Sequence, residues 1–160
     1  MNADLSKGSD DIFQLVGFMI GSEEFGVDIL KVQEINRLVQ ITKVPNSPEF
    51  VEGVINLRGR VIPIIDLRIR MGIDKKGNDS HTRIIIVETN SKTVGFIVDR
   101  VTEVLRIPAN VIEAPPEIAA GAKAQFITGV GKLEDRLLIL LDLDKIMSAE
   151  ESGALANMEE

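Results

Sequence analysis

FVEGVINLRGRVIPIIDLRIRM, residues Phe50–Met71, is the stretch on which the fold turns. Val54-Ile55 and Val61 to Ile65 are β-branched apolar runs, and Asn56-Leu57-Arg58-Gly59 separates them with turn chemistry. The pattern predicts two paired strands joined at Gly59, where glycine suits a backbone that needs positive φ, a close approach or a bulge. Gly53, Asn56 and Gly59 are read as structural turn residues, with Arg58 presented at the tip or edge of the pair. Pro63 cannot donate a ladder hydrogen bond, so the second strand is expected to be an edge or to carry a bulge there.

The stretch recurs. FITGVGKLEDRLLILLDLDKIM, 76 residues downstream, aligns with it without a gap. Phe50, Gly53, Val54, Leu57, Arg60, Asp66, Leu67 and Met71 meet Phe126, Gly129, Val130, Leu133, Arg136, Asp142, Leu143 and Met147. Val61/Leu137, Ile62/Leu138, Ile64/Leu140 and Ile65/Leu141 are apolar for apolar, so the copies fill the same kind of core. Upstream, EFGVDILKVQEI from Glu24 parallels TVGFIVDRVTEV from Thr93 at an offset of 69, with Gly26/Gly95, Val32/Val101, Glu34/Glu103 and Ile35/Val104 in register. Two copies make an internal duplication and are too few for a stacked solenoid.

A chain of 160 residues with 44% apolar content has enough material for one domain or two small ones. It contains no Cys, Trp or Tyr and one His, which excludes disulfides, thiolate chemistry and a Cys/His metal site, and is compatible with a reducing cytosol. The polar start, Met1 to Asp11, lacks the charged and apolar regions of a signal peptide, and no apolar run approaches the ~20 residues needed to span a bilayer. A net charge of −7, with six Phe as the only aromatics, argues against nucleic acid and for protein partners.

Along the chain, residues 1–10 read as a flexible tail. Ile12 to Ile20 and Glu24 to Ile29 read as a hairpin. Leu30 to Asn36 fits a helical turn or a bent strand, and Arg37 to Thr42 has strand spacing. Ser47-Pro48 predicts a short helix leading into Val54. Gly72 to His81 is a polar loop between halves. Arg83 to Glu88 and Thr93 to Val98 flank Asn90-Ser91 as a second hairpin. A C-terminal helix capped by Asp144 and ending in an acidic tail is expected over 144–160. The resulting plan is mainly β: residues 23–80 as a first barrel and 81–143 as a second. The strand in 11–22 has no counterpart in the repeat and crosses to complete the second barrel.

Catalytic chemistry is hard to build from these residues. His81 lies in the polar loop, where solvation is the ordinary fate of an imidazole. Gly129-Val130-Gly131-Lys132 resembles part of a phosphate loop, yet Phe126 and Leu133 replace its required Gly and Ser/Thr. As a dinucleotide fingerprint it fails at Glu134, and Asp74 to Ser80 lacks the acidic spacing of a calcium loop. Asp142 and Asp144 can pair as carboxylates, but an Asp between a strand and a helix is more often a cap. No Ser/His/Asp or Cys/His set exists. Val32, Ile35, Val101 and Val104 occupy equivalent places beside Glu34 and Glu103. They are either core or the partly exposed walls of a pseudo-symmetric groove for a partner helix. Arg58 either pairs with a carboxylate such as Glu34 or offers its planar guanidinium to a partner.

The runs GSEEFGVDILKVQEI, ITKVPNSPEFVEGVINLRGRVIPIIDLR, VGFIVDRVTEVL and FITGVGKLEDRLLILLDLDKIM resemble, in order and over nearly the whole chain, the CheW family of chemotaxis coupling proteins. With Met1 and neither kinase nor receiver sequence, the chain is similar to a free-standing member, not to the homologous domain of the kinase CheA or to CheV. The resemblance implies two pseudo-symmetric five-stranded SH3-like barrels. It also implies a non-catalytic adaptor, without cofactor or metal, that holds the histidine kinase CheA at the cytoplasmic signalling tips of chemoreceptors. Its place would be the cytoplasm, recruited to the inner face of the membrane through receptors with no insertion of its own. Val32, Glu34, Arg58, Val101 and Val104 match positions that the family uses toward receptor or kinase. Glu117 and Ile118 match a second kinase-facing patch, although Ile118 stands where an aromatic occurs and Glu113 where a basic residue occurs. A small β-barrel ligand or nucleic-acid binder is the competing class, which acidity and missing aromatics disfavour. An enzyme comes third.

Overall fold

The computed structural model describes residues 11–73, 77–89, 92–115 and 126–146. The strands in these segments are β1 (Ile12–Ile20), β2 (Glu23–Asp28), β3 (Val32–Arg37), β4 (Val51–Leu57), β5 (Arg60–Asp66), β6 (Arg83–Thr89), β7 (Lys92–Val98), β8 (Arg100–Pro108), β9 (Ile112–Glu113), β10 (Ile127–Lys132) and β11 (Leu137–Leu141). One-turn helices α1 (Leu67–Arg70) and α2 (Leu143–Ile146) follow β5 and β11, and 3-10 turns occupy Ile29–Lys31 and Ala109–Val111.

One sheet has the order β3-β6-β7-β5-β4 and the other β8-β1-β2-β11-β10-β9. Each closes on itself. After β3 the chain reaches Thr42, which exchanges two backbone hydrogen bonds of 2.9 Å with Val54 of β4. After β8 it reaches β9, which pairs with β10 at Val130↔Glu113. The result is two small SH3-like barrels.

The barrels do not follow the contiguous division at 23–80 and 81–143. β2 belongs to the second barrel, between β1 and β11, whereas β6 and β7 belong to the first. Sheet order also supplies the missing counterpart of β1. At the offset of 69, β1 corresponds to β6, and Gly17↔Gly26 in the β1–β2 ladder corresponds to Ile86↔Gly95 in β6–β7. Each barrel therefore takes a hairpin from one repeat and its remaining strands from the other. Leu15/Ile84, Val16/Ile85 and Phe18/Val87 keep apolar character without identity, which hides the match in the sequence.

Interleaving explains why the strands read as continuous apolar runs. Leu15, Leu138 and Leu140 fill the second barrel with Phe13 and Ile107, and Ile62, Ile64, Ile84, Ile86 and Ile97 fill the first. The alternate residues Val16, Phe18, Ile65, Ile85, Phe96 and Leu141 meet in a third core shared by the barrels. Strands buried on two faces lose the polar alternation of a surface sheet. At about 1.5–3 kcal/mol per buried Leu, Ile, Val or Phe, the three cores are the main drive to fold.

Local expectations fared unevenly. β4 and β5 pair antiparallel around Arg58-Gly59, and β1–β2 and β6–β7 are hairpins. No helix forms at Pro48. That segment is turned, and Val51 donates its N–H to the Pro48 carbonyl at 3.0 Å, which delivers the chain into β4 without a helical turn. β3 ends at Arg37, and of the expected strand to Thr42 only the Thr42 bridge remains. Pro63 lies one residue before the β5–β7 ladder begins at Ile64↔Gly95, so its missing N–H costs that ladder nothing. The register shift sits on the partner strand, between Val51 and Gly53. At α2 the capping carboxylate is Asp142, which accepts the Asp144 N–H at 3.0 Å, not Asp144 itself. Residues 1–10, the loop centre at 74–76, Asn90-Ser91 and the expected helix beyond Ile146 lie outside the described residues.

Candidate functional site

The Arg58-Gly59 turn is built by conformation. Arg58 has φ +52° and Gly59 φ +86°, the signs of a type I′ hairpin, and the Asn56 Oδ1 accepts the Gly59 N–H at 2.8 Å. Glycine at the second position is unstrained. Arginine at the first is held where non-glycine residues rarely sit. Gly53 has a different role: a Cβ there would lie 2.3 Å from the Thr42 carbonyl oxygen, so glycine permits the contact that closes the first barrel.

The unfavourable backbone at Arg58 aims its side chain along the barrel surface to Glu34 on β3. Both guanidinium nitrogens Nη1 and Nη2 donate to that carboxylate, the first at 3.3 Å, in a two-pronged contact. The Arg58 side chain remains 70% exposed and Glu34 28%. The arginine holds the Glu34 carboxyl below its usual range by hydrogen bonding, and Glu34 in turn raises the guanidinium. Thus the two alternatives for Arg58 are compatible: it is paired, and most of its surface is open to a partner.

Val32 and Val101 are half-buried against the shared core, so these equivalent residues are partly core. Their neighbours at the outer position are exposed, Val104 by 56% and Ile35 by 40%. Glu34 and Arg58 touch directly. No described contact ties Val104 to them. Glu117 and Ile118 lie outside the described residues.

Two polar assemblies were not anticipated. In the second barrel, Arg136 donates from Nε to Glu24 at 2.5 Å and from Nη2 to Glu103 at 3.3 Å, and Thr102 donates to Glu24 at 2.7 Å. They line an open cleft of about 650 Å³ with Met19, Arg100 and Leu137. The repeat register contained the clue, since Glu103 matches Glu34 and Arg136 matches Arg60. Between the barrels, Arg68 is fully buried with Asp66 and Asp99. Burial is the largest influence on its charge and opposes it, yet the carboxylates of Asp66 and then Asp99 outweigh burial and hold the guanidinium above its ordinary value. Its sequence signal was a charge reversal in the repeat, Asp66-Leu67-Arg68 against Asp142-Leu143-Asp144.

Other candidates resolve into structure. Gly129 to Lys132 lies in β10, so the glycine pair is strand and not loop. The His81 N–H is accepted by Asp79 at 2.8 Å in an exposed turn. Among the described residues no three His, Asp or Glu side chains cluster as metal ligands, and no helix is long and apolar enough to cross a membrane.

Comparison with known proteins places this geometry. A family model described as a CheW-like domain matches residues 14–151. The chain is 42% identical over 141 residues to the chemotaxis protein CheW of Klebsiella aerogenes, covering 88% of this chain and 85% of that protein. It is 36% identical over 144 residues to the chemotaxis protein CheW of Helicobacter pylori, covering 90% and 87%. The crystal structure of the scaffolding protein TtCheW of Thermoanaerobacter tengcongensis superposes with a TM-score of 0.81 at 41% identity, covering 88% of this chain and 96% of that one.

Proposed function

The chain belongs to the CheW-like family, and from that premise we propose that it is a non-catalytic chemotaxis adaptor coupling the cytoplasmic signalling tips of chemoreceptors to the histidine kinase CheA. One observation carries the reading to particular residues: the Glu34–Arg58 pair, paired yet largely open, stands on a turn whose backbone is unfavourable for arginine. Strain of this kind persists where surrounding structure holds it, and it clusters at working surfaces. Val32, Glu34 and Arg58 present one face, and Val101 and Val104 a second on the other barrel. Glu117 and Ile118 supply a further kinase contact. Several weak faces on one chain gain strength from each other, because each engaged face raises the effective concentration at the next. The adaptor works in the cytoplasm and reaches the membrane through its receptors.

Calorimetric titration of the full chain with a chemoreceptor signalling-tip fragment, and separately with the CheW-like domain of CheA, tests this. Binding to each without mutual competition is expected. Binding to neither at high micromolar concentration overturns the coupling role. Arg58→Asn refines the site, because Asn-Gly is the preferred type I′ pair. The thermal midpoint should hold or rise while one of the two affinities falls. Unchanged affinity for both partners removes Arg58 from the binding surface.

A further inference from the structure

The buried cluster around Arg68 lies where the chain passes from one barrel to the other. Asp66 ends β5 of the first barrel. Asp99 is the single residue between β7 of the first barrel and β8 of the second. Arg68 donates from Nε and Nη2 to the two oxygens of Asp66 at 2.9 and 3.0 Å, from Nη1 to Asp99 at 3.1 Å and from Nη2 to Asn78 at 3.0 Å. The other Asp99 oxygen accepts the Gly21 N–H at 2.7 Å, in the turn of the β1–β2 hairpin, and the Asp99 N–H donates to the Met19 carbonyl at 3.0 Å. An unbroken polar chain thus runs from the end of the first barrel, through a dry guanidinium, to a hairpin of the second.

We infer that Arg68 and Asp99 are positioning residues that fix the orientation of one barrel relative to the other. The shared apolar core holds the barrels together, but apolar burial is non-directional and tolerates repacking. A planar guanidinium forked onto two carboxylates is directional, and shifting it by a fraction of its hydrogen-bond length in a buried site leaves uncompensated charge. An ion pair also stands at the other crossing, with one partner at an equivalent position. Lys31, which matches Arg100 at the offset of 69 and lies between β2 and β3, bonds Asp144 at 3.1 Å, and Asp144 matches Arg68 at the offset of 76. Glu34 and Arg58 stand on one barrel and Val101 and Val104 on the other, so the orientation sets the spacing of the partner-facing surfaces. That last consequence rests on the proposed function, whereas the positioning itself does not.

The chain contains no cysteine, so Val61→Cys on β5 and Leu137→Cys on β11, at exposed positions in different barrels, accept one nitroxide label each. Pulsed electron-spin distance measurement on the full chain should give one narrow distance. In the charge-free variant Asp66→Asn/Arg68→Met/Asp99→Asn the distance should broaden or split while far-UV circular dichroism keeps its strand signature. Ile62→Val, which trims the interior of the first barrel alone, should lower the thermal midpoint and leave the distance narrow. If the triple variant fails to fold, Asp99→Asn alone is read in the same way. A distance as narrow in the charge-free or Asp99→Asn chain as in the parent overturns the inference and leaves Arg68 a stability residue. No partner takes part in the measurement, so its failure leaves the calorimetric test of the adaptor role untouched, and the reverse also holds.

Discussion

Where β7 passes into β8, a fully buried arginine meets an aspartate that is 4% exposed; where β2 passes into β3, a lysine and an aspartate meet at the same 3.1 Å with about a fifth of each side chain in water. The two crossings descend from one repeat and share a backbone plan. Asp66 and Asp142 cap one-turn helices through the N–H two residues on, and their own N–H groups donate to Phe50 and Phe126 at equivalent places. The residue two places after the cap, which carries the ion pair, is Arg68 in one and Asp144 in the other, and its partner changes sign to suit. The lesson is that distance does not rank these pairs. Solvent does: a wet pair gains little beyond the water it gives up, whereas a dry one penalises any loss of its partner.

The comparison breaks first at Arg68. In Arg68→Met, Asp66 and Asp99 are left buried without their cation, and unfolding in urea should show a loss of about 3–5 kcal/mol. A loss below about 1 kcal/mol would mean that water enters the crossing and that the two pairs are energetically alike. The next largest contrast lies in the parallel ladders. Gly95 and Gly26 are equivalent, opposite Ile64 and Leu140. A Cβ on Gly95 would come within 2.6 Å of Ile64 Cδ1 and 2.9 Å of Ile84 Cγ2, whereas on Gly26 the nearest atom is Leu138 Cδ2 at 3.2 Å. Overpacking should make Gly95→Ala cost about 1–3 kcal/mol. Gly26→Ala should come close to neutral, because alanine recovers about 0.5–1 kcal/mol of chain entropy and a leucine methyl can give way. Thermal midpoints of the two variants decide this, and equal losses would show that the second barrel is as tightly packed as the first.

These contrasts also mark what the sequence discloses. The hairpin at Arg58-Gly59, the repeat and the equivalence of Val32 with Val101 were legible, since turn chemistry and gapless identity act locally. The exchange of hairpins between barrels was not. It depends on which strands pair, and β1 shares only apolar character with β6, a property that any core strand has. The helix expected at Pro48 failed because capping signals describe a helix start and cannot supply the length of chain a helix needs. At the site, Glu34 and Arg58 were foreseen as alternatives and coexist. Arg68 was passed over because its counterpart in the repeat is Asp144, and Arg136, although matched by Arg60, because a register of equivalent positions does not show which neighbours each one faces.

Lys31→Met tests the weaker crossing. With Lys31 and Asp144 each more than a fifth exposed, the expected loss is about 1 kcal/mol or less in urea unfolding at low salt, and smaller still at high salt. A loss approaching that of Arg68→Met would place the second crossing among the dry ones and remove the contrast.

The smallest effect is a pH dependence at the second cap, Asp142. Burial, and then the charge of Asp144, push the Asp142 carboxyl above the ordinary aspartate value. Between that ordinary value and the raised one, the folded chain holds a proton at Asp142 that the unfolded chain has already released, so this group makes stability fall as pH rises. Glu34 has the opposite sign: its lowered carboxyl contributes stability that is lost as pH falls through its folded value. Asp142→Asn keeps an oxygen for the Asp144 N–H and cannot ionise. Measured against the parent, the variant's thermal midpoint should therefore gain with rising pH across the Asp142 window and hold its gain above it, while the Glu34 contribution cancels in the difference. Parallel midpoint curves would mean that the Asp144 N–H and the charge of Lys145, which favour the ionised carboxylate, already offset burial there.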